Sequence, residues 1–162
     1  MTTTPDIALP FQVAAWSGDA RRGYLRLLDQ TRLPQEEVYI ECRDAMAVWD
    51  AIRRLSVRGA PAIGIAAAYG MVLAAQFIPD GDFVTGLEAA GEYLKSSRPT
   101  AVNLEWAVAR VLARGQRTLS SDTNLIRDAL LEEAAAIATE DAALCLAIGR
   151  HALPLIRHTP AC

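Results

Sequence analysis

From Ala62 to Phe77 the chain is apolar almost without interruption, and whatever it folds into must enclose that run. The run is shorter than the roughly 20 residues a bilayer span needs, and Gly64, Tyr69 and Gly70 break it. A helix from Pro61 to about Gln76 would be apolar nearly all round, so it belongs at the centre of a fold, with other elements on every side. The chain has 162 residues, the length of one domain or of one domain and a small part. Alanine dominates its apolar share, which favours helices that pack closely.

The segments around this run divide into two kinds. Near the N-terminus, Val13 to Trp16, Tyr24 to Leu28 and Val38 to Cys42 are short and apolar-rich, separated by Ser17-Gly18-Asp19 and by Asp29 to Pro34. These patterns predict a small antiparallel sheet. Beyond it the spacing predicts helices over 45–55, 61–76, 83–95 and 101–113. Asp44, Asp82 and Thr100 are the expected caps of the first, third and fourth. Asp122 or Thr123 should cap a long helical stretch from about Asn124, with a break at Thr139-Glu140-Asp141 before Ala142 to Ile156. The expected fold is therefore α+β, a small antiparallel N-terminal β-sheet followed by a helical bundle. Its expected organisation is a mobile N-terminus over 1–10, a β/helical domain over 11–125 and a helical connection over 126–162.

Two turns carry the strongest hints of chemistry. Val57-Arg58-Gly59-Ala60-Pro61 sets an arginine and two small residues before a proline. Proline suits the first helical position, where its missing N–H would have had no intrahelical partner. The first turn leaves other N–H groups free and carries partial positive charge. Gly59 and Ala60 let a ligand approach that backbone, and an arginine beside free N–H groups suits a phosphate or carboxylate. Ser97-Arg98-Pro99-Thr100 repeats the logic. The alternative for Arg58 is a structural ion pair in a turn that only joins two helices. For Thr100 it is a plain helix cap.

Other groups exclude more than they suggest. A formal net charge of -3 with no basic face argues against a general nucleic-acid or membrane-surface binder. Cys42, Cys145 and Cys162 show no metal-type spacing, and Met1 to Pro10 lacks the pattern of a secretory leader. A cytoplasmic setting without metal or cofactor is expected. No nucleophile elbow, zinc-protease or phosphate-loop motif occurs. His151 and His158 read as structural and terminal residues, Asp29 and Glu41 as solvated strand positions with paired acid/base work as the alternative, and Trp16, Trp49 and Trp106 as packing anchors. Asn103 could reach the Arg98 turn or bond its own backbone.

The run Val57 to Gly70, VRGAPAIGIAAAYG, closely resembles the signature of the methylthioribose-1-phosphate isomerase family. Leu28 to Pro34, Ser97 to Leu104, Glu140-Asp141 and Ala147 to Gly149 are similar to further family segments in the same order. Ribose-1,5-bisphosphate isomerase and regulatory subunits of a translation initiation exchange factor share part of the pattern. The resemblance implies an aldose-ketose isomerase of methionine salvage, acting on a phosphorylated pentose and homodimeric when intact. It implies substrate binding by Arg58, Gly59, Ala60 and Arg98. The family's catalytic cysteine and aspartate motifs are not found here, and the neighbours of Cys162 do not match. The expectation is an N-terminal portion, without the Rossmann-like C-terminal domain, that is inactive alone.

Overall fold

A computed structural model describes residues 12–118 and 122–157. The expectations for 1–10, His158 and Cys162 lie outside them.

Three strands, β1 (Ala14–Ser17), β2 (Tyr24–Leu28) and β3 (Tyr39–Cys42), form an antiparallel sheet in the order β1-β2-β3. The register sets Trp16 opposite Leu25 and Leu25 opposite Cys42. Leu25, Leu27 and Cys42 are fully buried, while Arg26 and Glu41 between them are exposed. That alternation is what one face against a core and one against water requires.

Among the described residues five α-helices follow: α1 (Ala45–Arg53), α2 (Ala60–Ala75), α3 (Phe83–Ser96), α4 (Val102–Arg117) and α5 (Thr123–Arg157), with one 3-10 turn, Asp80–Asp82, before α3. The apolar run becomes α2, which touches all four other helices and the sheet. From Ile63 to Leu73 every residue of α2 is buried. Glycine and alanine allow neighbours this close. Arg127, on α5, closes the C-terminal end of α2 by donating to the carbonyls of Ala75 and Ile78, each at 2.9 Å.

The caps divide. Asp44 caps α1, accepting from the Ala47 N–H at 2.7 Å, and Asp122 accepts from the Asn124 N–H at 2.9 Å. Asp82 stands at the start of α3 without a side-chain cap bond. Thr100 is not the cap of α4: the helix begins one residue later, at Val102, with Ala101 in that position. The first helix also ends early, at Arg53, because Leu55 adopts a left-handed φ of 63°. Leu55 thereby turns the chain so that Ser56 and Val57 bury, leaving Arg58 outside.

The expected break at Thr139 to Asp141 does not occur. Arg110 holds Glu133 at 2.6 Å and Glu140 at 2.5 Å, two helical turns apart, and so splints α5 across that point. The helix also runs through the boundary expected at 125/126. Ile126, Leu130, Ala134 and Ile137 pack into the core, whereas Leu144, Ile148 and Leu155 beyond them are exposed.

Candidate functional site

The two proline-bearing turns end at neighbouring helix starts. A Cβ on Gly64, one turn into α2, would stand 2.9 Å from the Asn103 carbonyl oxygen and 3.6 Å from the Ala107 Cβ. Both helices therefore present their N-terminal ends on the same side of the domain. Each start also lacks a side-chain cap bond. Free N–H groups and the positive ends of two helix dipoles thus lie close together.

At the first turn Gly59 takes φ 92° and ψ 133°, a conformation a side chain would strain. Nothing lies within 4 Å of where its Cβ would be, so the backbone is open to approach. Ala60 and Pro61 are exposed beside it. Arg58 is exposed and its Nε donates to the Leu55 carbonyl at 3.1 Å. The expected alternative, an ion pair for Arg58, is not formed among the described residues.

The strand end of β2 braces this turn. The Gln30 N–H donates to the Ser56 carbonyl at 2.9 Å, and Asp29 accepts from the Thr31 N–H and hydroxyl. Partial burial pulls the Asp29 carboxyl upward, but bonds from Thr31 and Ser56 and the charge of Arg54 outweigh it, and the pKa lies below its ordinary value. Asp29 is thus an ionised turn-former. Glu41 lies further along the sheet, pairing with Arg43 at 2.7 Å, so the two carboxylates do not converge.

At the second turn Arg98 is partly buried and makes no side-chain hydrogen bond or ion pair among the described residues. It lines a hollow of about 310 Å³ with Glu92, Lys95, Ser96, Pro99, Ala101, Leu104 and Glu105. That is the lower end of the size range for small-molecule sites. Arg58, Gly59 and Ala60 do not line this hollow. The structure therefore brings the two helix starts together but leaves Arg58 on its own turn, bonded to Leu55.

The Arg98 turn is held by Ser96 and Ser97, whose bonds residue order does not show, and by Trp49, a packing anchor as expected. Ser97 is fully buried and donates to the Leu94 carbonyl at 2.7 Å. Trp49 Nε1 donates to the Ser96 hydroxyl at 2.9 Å, and the Trp49 ring stacks on Tyr93. The Ser-Ser pair before Arg98 is the one local trace of this arrangement. Trp16, stacked on Tyr69, is a packing anchor as expected. Trp106 is not: it is 50% exposed, with the Arg110 guanidinium over its ring. His151 is exposed on α5.

Among the described residues no group of three or more His, Cys, Asp or Glu could hold a metal ion, and no helix is long and apolar enough to cross a membrane. What the geometry offers is a positively polarised end of a helical domain, with an unpaired guanidinium beside a small hollow.

Comparison with known proteins gives this architecture a family. The model of the Initiation factor 2 subunit family matches residues 56–161, and the chain belongs to that family. It is 51% identical over 144 residues to methylthioribose-1-phosphate isomerase of Pelotomaculum thermopropionicum, covering 87% of this chain and 39% of that one. It is 47% identical over 139 residues to 5-deoxyribose 1-phosphate isomerase of Moorella thermoacetica, covering 84% and 40%. Among solved structures it resembles the translation initiation factor eIF-2B delta subunit from A. fulgidus, with a TM-score of 0.71 and 38% identity over 80% of this chain and 37% of that one. The chain spans about two fifths of the length of the curated relatives it matches.

Proposed function

We propose that this chain supplies the substrate-gripping portion of an aldose-ketose isomerase that converts 5-methylthioribose 1-phosphate into 5-methylthioribulose 1-phosphate. One observation carries the reading: Arg98 stands partly buried and unpaired beside a hollow, at a helix start that abuts the helix start following Arg58. Two relatives, both isomerases of pentose 1-phosphates by name, support the same substrate class.

In such a substrate the phosphoester locks the anomeric carbon. The ring must open before a hydrogen can move from C2 to C1, which needs an acid/base group and a dry pocket. We assign neither to the described residues. Their part is positioning. Arg98 and the start of α4 take the phosphate, and Gly59 and Ala60 let the sugar lie against the start of α2. Arg58 joins by leaving its single bond to Leu55, at a net cost of about 1 kcal/mol. The binding domain takes in the core-packed first half of α5 as far as Ile137, and the exposed stretch of α5 beyond it leads toward the catalytic half, so the chain on its own gives no turnover. No cofactor takes part. The intact enzyme is a cytoplasmic homodimer that contacts neither nucleic acid nor membrane.

Titration with ribose 1-phosphate tests the grip. Arg98→Ala or Arg58→Ala should weaken binding about ten- to a hundredfold, the worth of a charge-assisted contact. Unchanged affinity in both variants removes the arginines from the site. Isomerase turnover by the 162-residue chain that Cys162→Ala abolishes would overturn the assignment of chemistry elsewhere.

A second reading, a non-catalytic assembly module, follows from the name of the family, that of initiation factor 2 subunits. Binding of a pentose 1-phosphate through both arginines decides for the isomerase. Retained assembly with no such binding decides for the module.

A further inference from the structure

We infer that Glu105 makes the hollow beside Arg98 selective for a sugar carrying a single phosphate, rejecting a bisphosphate. This rests on reading that hollow as the sugar-phosphate site. Glu105 lies in the first turn of α4 and lines the same hollow as Arg98. Neither side chain bonds the other, and Glu105 makes no side-chain hydrogen bond or ion pair among the described residues. The other cation there is engaged: Lys95 holds Glu92 at 2.5 Å. The hollow therefore has one unpaired positive group and one unpaired negative group.

The charges decide what fits. One phosphate finds Arg98 and the positive end of α4. The remainder of a pentose, neutral and rich in hydroxyls, can lie beside a carboxylate and donate to it. A second phosphate in the hollow would meet the exposed Glu105 carboxylate with Arg98, the one unpaired cation lining it, already engaged by the first, and at low ionic strength such like charges repel. The names of the two isomerase relatives each carry one phosphate, at C1. A carboxylate in a first helical turn also favours the helix dipole, so stability alone would not distinguish the roles.

Calorimetric titration of the full chain with ribose 1-phosphate and with ribose 1,5-bisphosphate, at low ionic strength, separates them. Glu105→Gln should tighten the bisphosphate about tenfold, or about 1.4 kcal/mol, and change the monophosphate less than about threefold. Glu105→Asp should keep the discrimination, and circular dichroism melts should show all variants folded. Raising the salt should shrink the selectivity of the wild type. If Glu105→Gln moves both sugars equally, or neither, the selectivity role is wrong although the site stands. If the wild type binds neither sugar and Arg98→Ala changes nothing, the site reading itself falls and this inference with it.

Discussion

Gly64 of α2 lies against the carbonyl oxygen of Asn103 in α4, so close that a Cβ there would be 2.9 Å away. This contact sets the two helix starts side by side. Gly64→Ala should part them. The alanine gains up to about 1 kcal/mol of helix propensity, but overpacking against backbone costs about 1–3 kcal/mol. The expected net loss is about 1–2 kcal/mol in a denaturant melt, together with weaker pentose-phosphate binding. A variant at least as stable as the wild type would show that the contact is not tight.

Arg127 is 9% exposed and ties α5 to the end of α2. Its guanidinium donates to Ala75, Ile78 and Thr123 and lies over the Phe83 ring. Arg127→Ala leaves carbonyls at the end of α2 without that donor and should cost about 3 kcal/mol. Arg127→Lys keeps the charge but loses the planar fork, so it should recover only part of the loss. Thermal melts of the three proteins check the order.

Acid should loosen α5 from α4. The Glu140 carboxyl is held below its ordinary value of 4.5, chiefly by the bonds from Arg110, and Asp80 is lowered by the bond from Thr123. A lowered carboxyl contributes stability that is full above the unfolded pKa and disappears as pH falls through the folded one. Melting temperature should therefore decline below about pH 4.5. Glu140→Gln should make that decline shallower while lowering stability at neutral pH. An acid limb identical to the wild type would remove Glu140 from the linkage.

The thiols should differ in reactivity. Burial pushes the Cys42 thiol up to about 11, whereas Cys145 is exposed on α5. Thiolate is the reactive form, so an alkylating reagent at pH 8 should modify Cys145 in the native protein and Cys42 only after denaturant is added. Peptide mass spectrometry reads the order directly. Labelling of Cys42 as fast as Cys145 would show that β3 opens readily.

Much of the fold was legible because its signals are local. The alternation in Tyr24 to Leu28 and the uniform apolarity of 62–75 each specify one solution. One difference arises where a distant residue overrides a local signal. Thr139 to Asp141 looks like a break until Arg110, on another helix, bonds both Glu133 and Glu140. Trp106 looks like core, yet its place on α4 turns it outward, where Arg110, one turn along the same helix, lies over its ring. At the site, the proline-led turns around Arg58 and Arg98 were evident from residue order. The roles of Ser97 and Glu105 and the bond from Trp49 to Ser96 were not, because they depend on where α1, α3 and α4 meet.

The order of residues alone required a buried central helix, a short antiparallel sheet and two arginines before helix starts, because each follows from periodicity and backbone preference within a few residues. Only the tertiary structure placed the starts of α2 and α4 in contact, left Arg98 without a partner and set Glu105 in its hollow. The first of these joins positions about forty residues apart through the close approach of Gly64 to Asn103, and the hollow, though built from neighbouring residues, exists only because α3 and α4 meet at the Arg98 turn.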